Sequence, residues 1–315
     1  MRILVYGAGV IGSIFAGRLA AAGQNVTVLA RGKRLEQIQQ QGIVLASPGS
    51  GPEVVIPVNT VESLAPDDEY DFVLVVMQRT QIDDVLPVLA RNVSQNLVFV
   101  VNTAGGYEQW VNAVGKNRLL LGFPSAGGER VGHKVVHFIG RGFLRVFQTT
   151  TFGEYSGQKT DRVNTLIRMF HHARIPSVFC NDMDAWQKTH VAMMTCIANA
   201  LYGYHCDNNK LSRSYSDIKL MLQGIHEGFR VLNSLGIKTK PFKLWYMKLP
   251  VWLIAGPFKV FMGTKLAEVT FARHCVAAKP EMICLQAEFD ELIARSTVAT
   301  PAIDALRKNL NIELE

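Results

Sequence analysis

The sequence predicts an α/β protein: an N-terminal doubly wound sheet of the Rossmann type and an all-helical C-terminal domain. Three observations predict it. The chain opens on an apolar strand, a glycine turn and a helix. Short apolar runs then alternate with helical patterns through the first half, as parallel βαβ units require. From Asp182 onward the pattern is helical only.

The opening run is Met1-Arg2-Ile3-Leu4-Val5-Tyr6-Gly7-Ala8-Gly9-Val10-Ile11-Gly12-Ser13. Ile3 to Val5 suit a central strand covered on both faces. Gly7 permits the tight turn, Gly9 lets a phosphate approach the backbone, and Gly12 lets the helix pack close to the strand. Val10 and Ile11 start a helix that runs to Ala22 and stops at Gly23. Its free N–H groups and dipole favour a pyrophosphate. A glycine turn alone is a weak signal. Here a strand precedes it, a helix follows, and a second strand, Asn25–Leu29, comes next, which is the context a dinucleotide fingerprint needs.

The end of the second strand selects the cofactor. NAD sites usually carry Asp or Glu there, bonded to the ribose hydroxyls. This chain has Ala30-Arg31-Gly32-Lys33-Arg34 and no acid. An arginine fork binds a 2′-phosphate bidentately, so NADP is expected, with Arg31 as the principal contact and Lys33 or Arg34 assisting. The competing reading is a solvated basic loop.

Further strands are expected at Asp71–Met77, at 97–101 ending on Asn102, and at Leu119–Gly122, with a helix over 81–90. Val135, Val136, Phe138, Phe143, Val146 and Phe147 suggest antiparallel strands closing the sheet. A helix over 161–172 and a strand at Ser177–Cys180 complete this domain. Apolar periodicity then predicts helices over 185–204, 220–235 and 280–296. The expected domains are 1–180, binding NADP, and 181–315, helical and carrying substrate and catalysis.

The 315 residues suffice for two cores. With 48% hydrophobic and 19% charged residues, the composition fits a globular protein. The first strand starts at once, so no secretory leader is expected, and the five cysteines form no CxxC pair. Reduced thiols and a cytoplasmic location follow as expectations. A net charge of +7 accompanies no aromatic-interleaved basic run, which argues against a nucleic-acid partner and for an anionic cofactor and substrate. His171 with His172, and His133 with His137, lack further ligands at metal spacing, so no metal is expected. Residues 244–262 are strongly apolar, yet Lys248, Pro250, Pro257 and Lys259 make a poor transmembrane span. A core or subunit-contact segment is expected there, with a peripheral membrane contact as the alternative and no stable insertion.

These motifs together resemble the ketopantoate reductase family: NADPH-dependent enzymes with a Rossmann domain and a helical C-terminal domain. The resemblance rests on Gly7–Ser13, Ala30-Arg31, the strand 71–76, Asn102 at a strand end, Trp186-Gln187-Lys188 at a helix start, and a late helix carrying Glu281. It implies reduction of a 2-oxo acid to a 2-hydroxy acid, and a small-molecule 2-oxo acid and a second copy of the chain as partners. It also implies that Lys188 donates the proton, that Glu281 contacts the substrate hydroxyl, and that Asn102 lies by the nicotinamide. The chemistry of Lys188 stands without the analogy: hydride delivered to a ketone leaves an alkoxide, which needs a proton or a positive charge nearby. On a helix with Val191, Met193, Met194 and Ile197, desolvation would lower the lysine's pKa usefully; the competing reading is a lysine that snorkels to solvent. Pro280 puts Glu281 in a first helical turn, where a plain dipole-stabilised carboxylate is also expected.

Several positions depart from the family. Gln78 stands where it has a lysine, although the position still belongs to the expected cofactor contacts. Thr103 follows Asn102 in place of glycine. Ala192 and Cys196 replace two asparagines, and Val269 replaces a serine. Asn199 and Arg273 are the candidate replacements for substrate contacts, Arg273 for its carboxylate. Two other readings compete: a reductase for a less polar 2-oxo acid lined by Ala192 and Cys196, and a non-catalytic NADP-binding module.

Overall fold

The computed structural model describes residues 1–47, 52–138 and 149–313. The chain divides into two units. One comprises residues 1–101 and 107–183; the other comprises 102–106 and 184–315.

The first unit is built on an eight-stranded sheet. In chain order its strands are β1 (Arg2–Tyr6), β2 (Asn25–Leu29), β5 (Asn59–Val61), β6 (Phe72–Val75), β7 (Leu97–Val100), β8 (Leu119–Phe123), β11 (Thr150–Glu154) and β12 (Ser177–Phe179). Their spatial order is β12-β11-β8-β7-β6-β1-β2-β5. All neighbours are parallel except β11 and β8. The central strands are buried on both faces, which explains their unbroken Val, Ile, Leu and Phe runs. Helix α1 (Val10–Ala21) returns the chain from β1 to β2, and α2 (Gly32–Gln41) follows β2. Strand order reverses beside β1, whose neighbours are β2 and β6, and ligands of such sheets bind outside the strand ends at that switch point.

A second sheet was not foreseen as such. It holds β3 (Ile43–Ala46), β4 (Glu53–Ile56), β9 (Gly127–Val131) and β10 (Lys134–Phe138) in the order β4-β3-β10-β9. Val135 and Val136 therefore do not close the main sheet: they pair with Leu45 and Ala46 of β3. The edge beyond β8 is extended instead by β11 and β12. The expectations at Phe143, Val146 and Phe147 lie outside the described residues. The small sheet packs against α1, where a Cβ on Gly17 would come within 2.9–3.1 Å of Leu45, Ile43 and Ile56.

The second unit is helical. It contains α6 (Met183–Tyr202, from Asp184 on), α7 (Asn208–Arg213), α8 (Tyr215–Ser234), α9 (Val251–Met262), α10 (Lys279–Ala294) and α11 (Pro301–Arg307); α3 (Ile82–Arg91), α4 (Glu108–Val114) and α5 (Asp161–His172) belong to the first unit. Its core joins Val191, Ile197, Leu201, Met221, Ile225, Leu285 and Phe289. α6 and α8 meet through small residues. A Cβ on Gly228 would lie 3.1 Å from Ala192 Cβ, and one on Gly224 would lie 3.1 Å from Cys196 Sγ.

Candidate functional site

In the first unit the candidate cofactor site grows from the ends of β1, β2 and β6. Tyr6 pairs with Leu29 on one side and Val75 on the other. The amide of Val76 donates to Tyr6 O at 2.9 Å, so the segments leaving these strands stay together. Gly7 has φ +119°, and a Cβ there would stand 2.2 Å from Val76 O. A Cβ on Gly12 would stand 1.9 Å from Gly7 O. Only glycine fits either position. Gly9 differs: a Cβ there would meet nothing within 4 Å. Its backbone is the open approach to α1, which begins at Val10 and Ile11 with no side-chain cap and no acid in its first turn. Uncapped amides at a helix start, reached across a bare glycine, form an anion cradle. A dinucleotide pyrophosphate fits these residues.

Arg31 is exposed at the start of α2 and close enough to influence the Tyr6 phenol. Burial pushes that phenol's pKa up and the Arg31 charge partly offsets it. The phenol oxygen is buried with no hydrogen-bond partner among the described residues. Arg34 is a different case. Its guanidinium donates to Ser13 Oγ (2.9 Å), Ala8 O (3.3 Å), His133 O (3.0 Å) and Gln37 Oε1 (3.4 Å). The expectation that Arg34 assists in binding a 2′-phosphate is thereby corrected: its donors brace the glycine turn against α2 and the small sheet. Lys33 remains exposed. Gln78 lies three residues beyond β6 and caps a short helical turn; Gln81 Oε1 accepts from its amide at 3.3 Å. The histidines set aside as metal ligands serve packing. His137 donates from Nδ1 to Ala46 O (2.9 Å) and accepts at Nε2 from Arg18 (2.8 Å), and His171 Nε2 lies 2.7 Å from Ser177 O.

In the second unit, Lys188 sits in the first turns of α6 with only 13% of its side chain exposed. Its ammonium donates to Asp184 Oδ2 at 2.6 Å, one helical turn earlier. The lysine is thus largely withdrawn from solvent, as its apolar helix face predicts, and is also held in an ion pair. Next to it, His190 stacks on Trp186 with ring centroids 5.6 Å apart. Burial, with a smaller contribution from His274, pushes the His190 pKa down to about 3.

The segment 102–106 belongs to this unit and is fixed by a residue sequence reasoning missed. Glu288, in the middle of α10, accepts from Thr103 Oγ1 (2.9 Å), from the Ala104 amide (2.7 Å) and from the Gly105 amide (3.1 Å). Thr103, the departure from the family's glycine, is one of those donors, and its oxygen also accepts from the Gly105 amide at 3.1 Å. Beside this clamp, Asn102 Oδ1 is buried and has no hydrogen-bond donor among the described residues. Such an acceptor is costly to leave unpaired, and a carboxamide N–H, as on nicotinamide, would satisfy it.

Glu281 lies in the first turn of α10 after Pro280 and is buried. The substrate candidates fare differently. Asn199 is 1% exposed, and its Nδ2 donates to Gln286 Oε1 at 2.9 Å. Gln286 in turn donates to Asp290, which also accepts from Arg307. Asn199 thus ties α6 to α10 through its Nδ2, while its Oδ1 is buried with no hydrogen-bond partner among the described residues. Arg273 is on the surface, 2.9 Å from Glu268 Oε1. Hydrogen bonds from Lys265 and then Arg273 lower the Glu268 pKa, so Arg273's role as substrate-carboxylate contact is corrected to an ion pair on its own helical segment. Ala192 and Cys196 are buried and packed against Gly228 and Gly224 of α8. Burial pushes the Cys196 thiol up to about 12, as expected of an inert core cysteine.

Residues 3–155 match the family model described as Ketopantoate reductase PanE/ApbA. A curated relative, the uncharacterized oxidoreductase YkpB of Bacillus subtilis, is 26% identical over 196 residues, covering 60% of this chain and 61% of that protein. The chain thus matches less than two thirds of that relative's length. The 2-dehydropantoate 2-reductase of Pyrococcus horikoshii is 22% identical over 239 residues, 76% of this chain and 75% of the relative. Among solved structures, D-mandelate dehydrogenase in ternary complex with NADH and anilino(oxo)acetate superposes with a TM-score of 0.78. It covers 98% of this chain and 97% of its own at 14% identity, a likeness of fold. Residues 3–155, just under half of the chain, thus resemble the ketopantoate reductase family, and the curated relatives matched are oxidoreductases.

Proposed function

We propose that this protein is an NADPH-dependent reductase that converts a 2-oxo acid to a 2-hydroxy acid. The observation that carries the reading is the glycine cradle at Gly7, Gly9 and Gly12 with Arg31, and no acid, at the end of the adjacent strand. The family and its NADH-bound structural neighbour support a nicotinamide dinucleotide. Arg31 favours the 2′-phosphorylated form, because a guanidinium fork matches a phosphate and a carboxylate would repel it.

When bound, the cofactor supplies a hydride to the ketone carbon. The chain's own residues supply the remainder. The amides of Val10 and Ile11 would hold the pyrophosphate, and Asn102 Oδ1 would accept from the carboxamide. Glu288 acts as a positioning residue by fixing the backbone that follows Asn102. Lys188 donates a proton to the oxygen as charge develops on it, and Asp184 orients the ammonium beforehand. Glu281 accepts from the new hydroxyl. The reaction balances: hydride and proton add across one C=O bond, and the cofactor leaves oxidised.

Ketopantoate is the substrate the family resemblance favours, with a place in pantothenate synthesis and a cytoplasmic location. A second reading is a less polar 2-oxo acid. It is favoured by Ala192 and Cys196 standing where the family has two asparagines, which removes two polar side chains. Oxidation of NADPH and NADH should be followed against ketopantoate and a panel of aliphatic and aromatic 2-oxo acids. Turnover of at least one acid, with NADPH preferred, is expected. Tight NADPH binding without oxidation by any acid would replace the enzyme reading with that of a binding module.

A further inference from the structure

The segment 242–262 contributes one side to the helical core, through Met247, Ile254, Ala255 and Met262, and leaves the other uncovered. Among the described residues no helix is long and apolar enough to cross a bilayer. Yet Phe242 (88%), Trp252 (72%) and Val260 (74%) are among the most exposed large apolar side chains, and Trp245, Tyr246 and Leu253 join them. On α9 the exposure follows the helical repeat. Ile254, Ala255 and Met262 are buried, while Trp252, Leu253, Pro257 and Val260 share the opposite face. The helix is apolar all round but covered on one side only. The short helical turn Phe242–Lys248 precedes it, joined by Leu249 and Pro250 alone. Its aromatics therefore stay close to α9, since three peptide steps span at most about 11 Å.

Charge says what covers this face. From Gly228 to Ala267 there are seven lysines and arginines and no Asp or Glu. One of the seven, Lys265, pairs with Glu268 just beyond the stretch; the other six make it the chain's markedly basic region. Lys238 and Lys248 are exposed, and Lys259 follows Trp252 by two turns on the same stripe of α9. A symmetric dimer through this face would set cations against cations. Exposed Trp, Tyr and Phe among lysines are instead the composition of an interfacial segment, with rings at headgroup depth and ammonium groups at the phosphates.

We propose that the face formed by Phe242–Lys248 and α9 docks the protein on an anionic lipid surface as a peripheral contact. The contact lies outside the cofactor cradle and the Lys188 segment, so it localises the protein without taking part in the reaction.

The test uses the full-length protein with vesicles of phosphatidylcholine alone and of phosphatidylcholine with phosphatidylserine. Co-sedimentation with the anionic vesicles only, a blue shift of tryptophan emission and loss of binding at high salt are expected. Replacing Lys248 and Lys259 together by alanine should weaken binding about 30-fold, at about fivefold per lysine near an anionic surface. Trp252→Ser should also release the protein. Both variants alter exposed or edge positions, and unchanged NADPH binding and circular dichroism would show that they fold. Three results would overturn the proposal: no binding to either vesicle, equal binding to both, or a solution dimer that Val260→Glu converts to monomer without vesicle binding. The last would make this face an interface between copies.

Discussion

The glycine turn of β1–α1 and the helical unit around α6 and α10 carry their site residues in opposite ways. In the turn, residue type is dictated by local backbone sterics: Gly7 and Gly12 exist because a Cβ would strike a carbonyl oxygen at 2.2 and 1.9 Å. In the helical unit, the same residue types serve quite different ends. Asn199 ties two helices through its amide nitrogen, Asn102 and Asn199 each keep an unsatisfied acceptor, Glu288 clamps a loop, and Arg273 answers a neighbouring carboxylate. What separates them is tertiary partnership, which sequence spacing does not encode.

The comparison breaks most visibly at the glycines. Gly7→Ala and Gly12→Ala should each cost roughly 3 kcal/mol or more, because backbone must shift or adopt a strained conformation. Gly9→Ala should leave stability within about 0.5 kcal/mol of wild type while weakening NADPH binding. Thermal denaturation alongside cofactor titration distinguishes the two; equal destabilisation by all three would refute the division of roles.

Glu288→Ala tests the helical side. It strips three donors of their acceptor and should cost about 2–4 kcal/mol in denaturant unfolding. Because it frees the segment carrying Asn102, turnover should fall as well, with Glu288→Gln recovering part of both losses. A variant that keeps wild-type kcat and KM would show that the clamp serves stability alone.

Arg31→Ala comes next. Loss of a bidentate, charge-assisted contact should raise the KM for NADPH about 10- to 100-fold and leave that for NADH nearly unchanged. Steady-state kinetics with both cofactors measures it, and an equal effect on both would return Arg31 to the solvated loop.

A separate prediction concerns pH. His190, ordinarily near 6.5, is pushed down to about 3 in the folded chain. Unfolding lets it bind a proton that the fold refuses, so its stabilisation is complete above pH 6.5 and is lost as pH falls toward 3. His190→Phe, which keeps a ring against Trp186, should therefore flatten the decline in unfolding free energy across that window. An unchanged slope would show that His190 is protonated without cost.

Much of the fold was legible because parallel strands advertise themselves. The runs at Asn25–Leu29 and Leu97–Val100 and the helix Asp161–His172 follow directly from apolar patterning and turns. The small sheet was not, for physical reasons. β3 and β4 have only four residues each, and Val54 and Val55 are exposed, so no alternation marks them. Nor does sequence show that 102–106 belongs with the helical unit, since Glu288 lies 185 residues from Thr103. The need for glycine at positions 7 and 12 was legible, while the bracing of Arg34 was not, because a braced guanidinium and a free one look alike in sequence.

The central claim is hydride transfer to a 2-oxo acid with Lys188 supplying the proton, and isotope transfer tests it most directly. Wild-type protein should be incubated with NADPH carrying deuterium at both C4 positions and the 2-oxo acid that turns over fastest, and the product read by NMR. The account predicts deuterium on C2 of a 2-hydroxy acid, with Lys188→Ala slowing formation about 100- to 10,000-fold. A hydroxy acid without deuterium, or undiminished formation by Lys188→Ala, would contradict it.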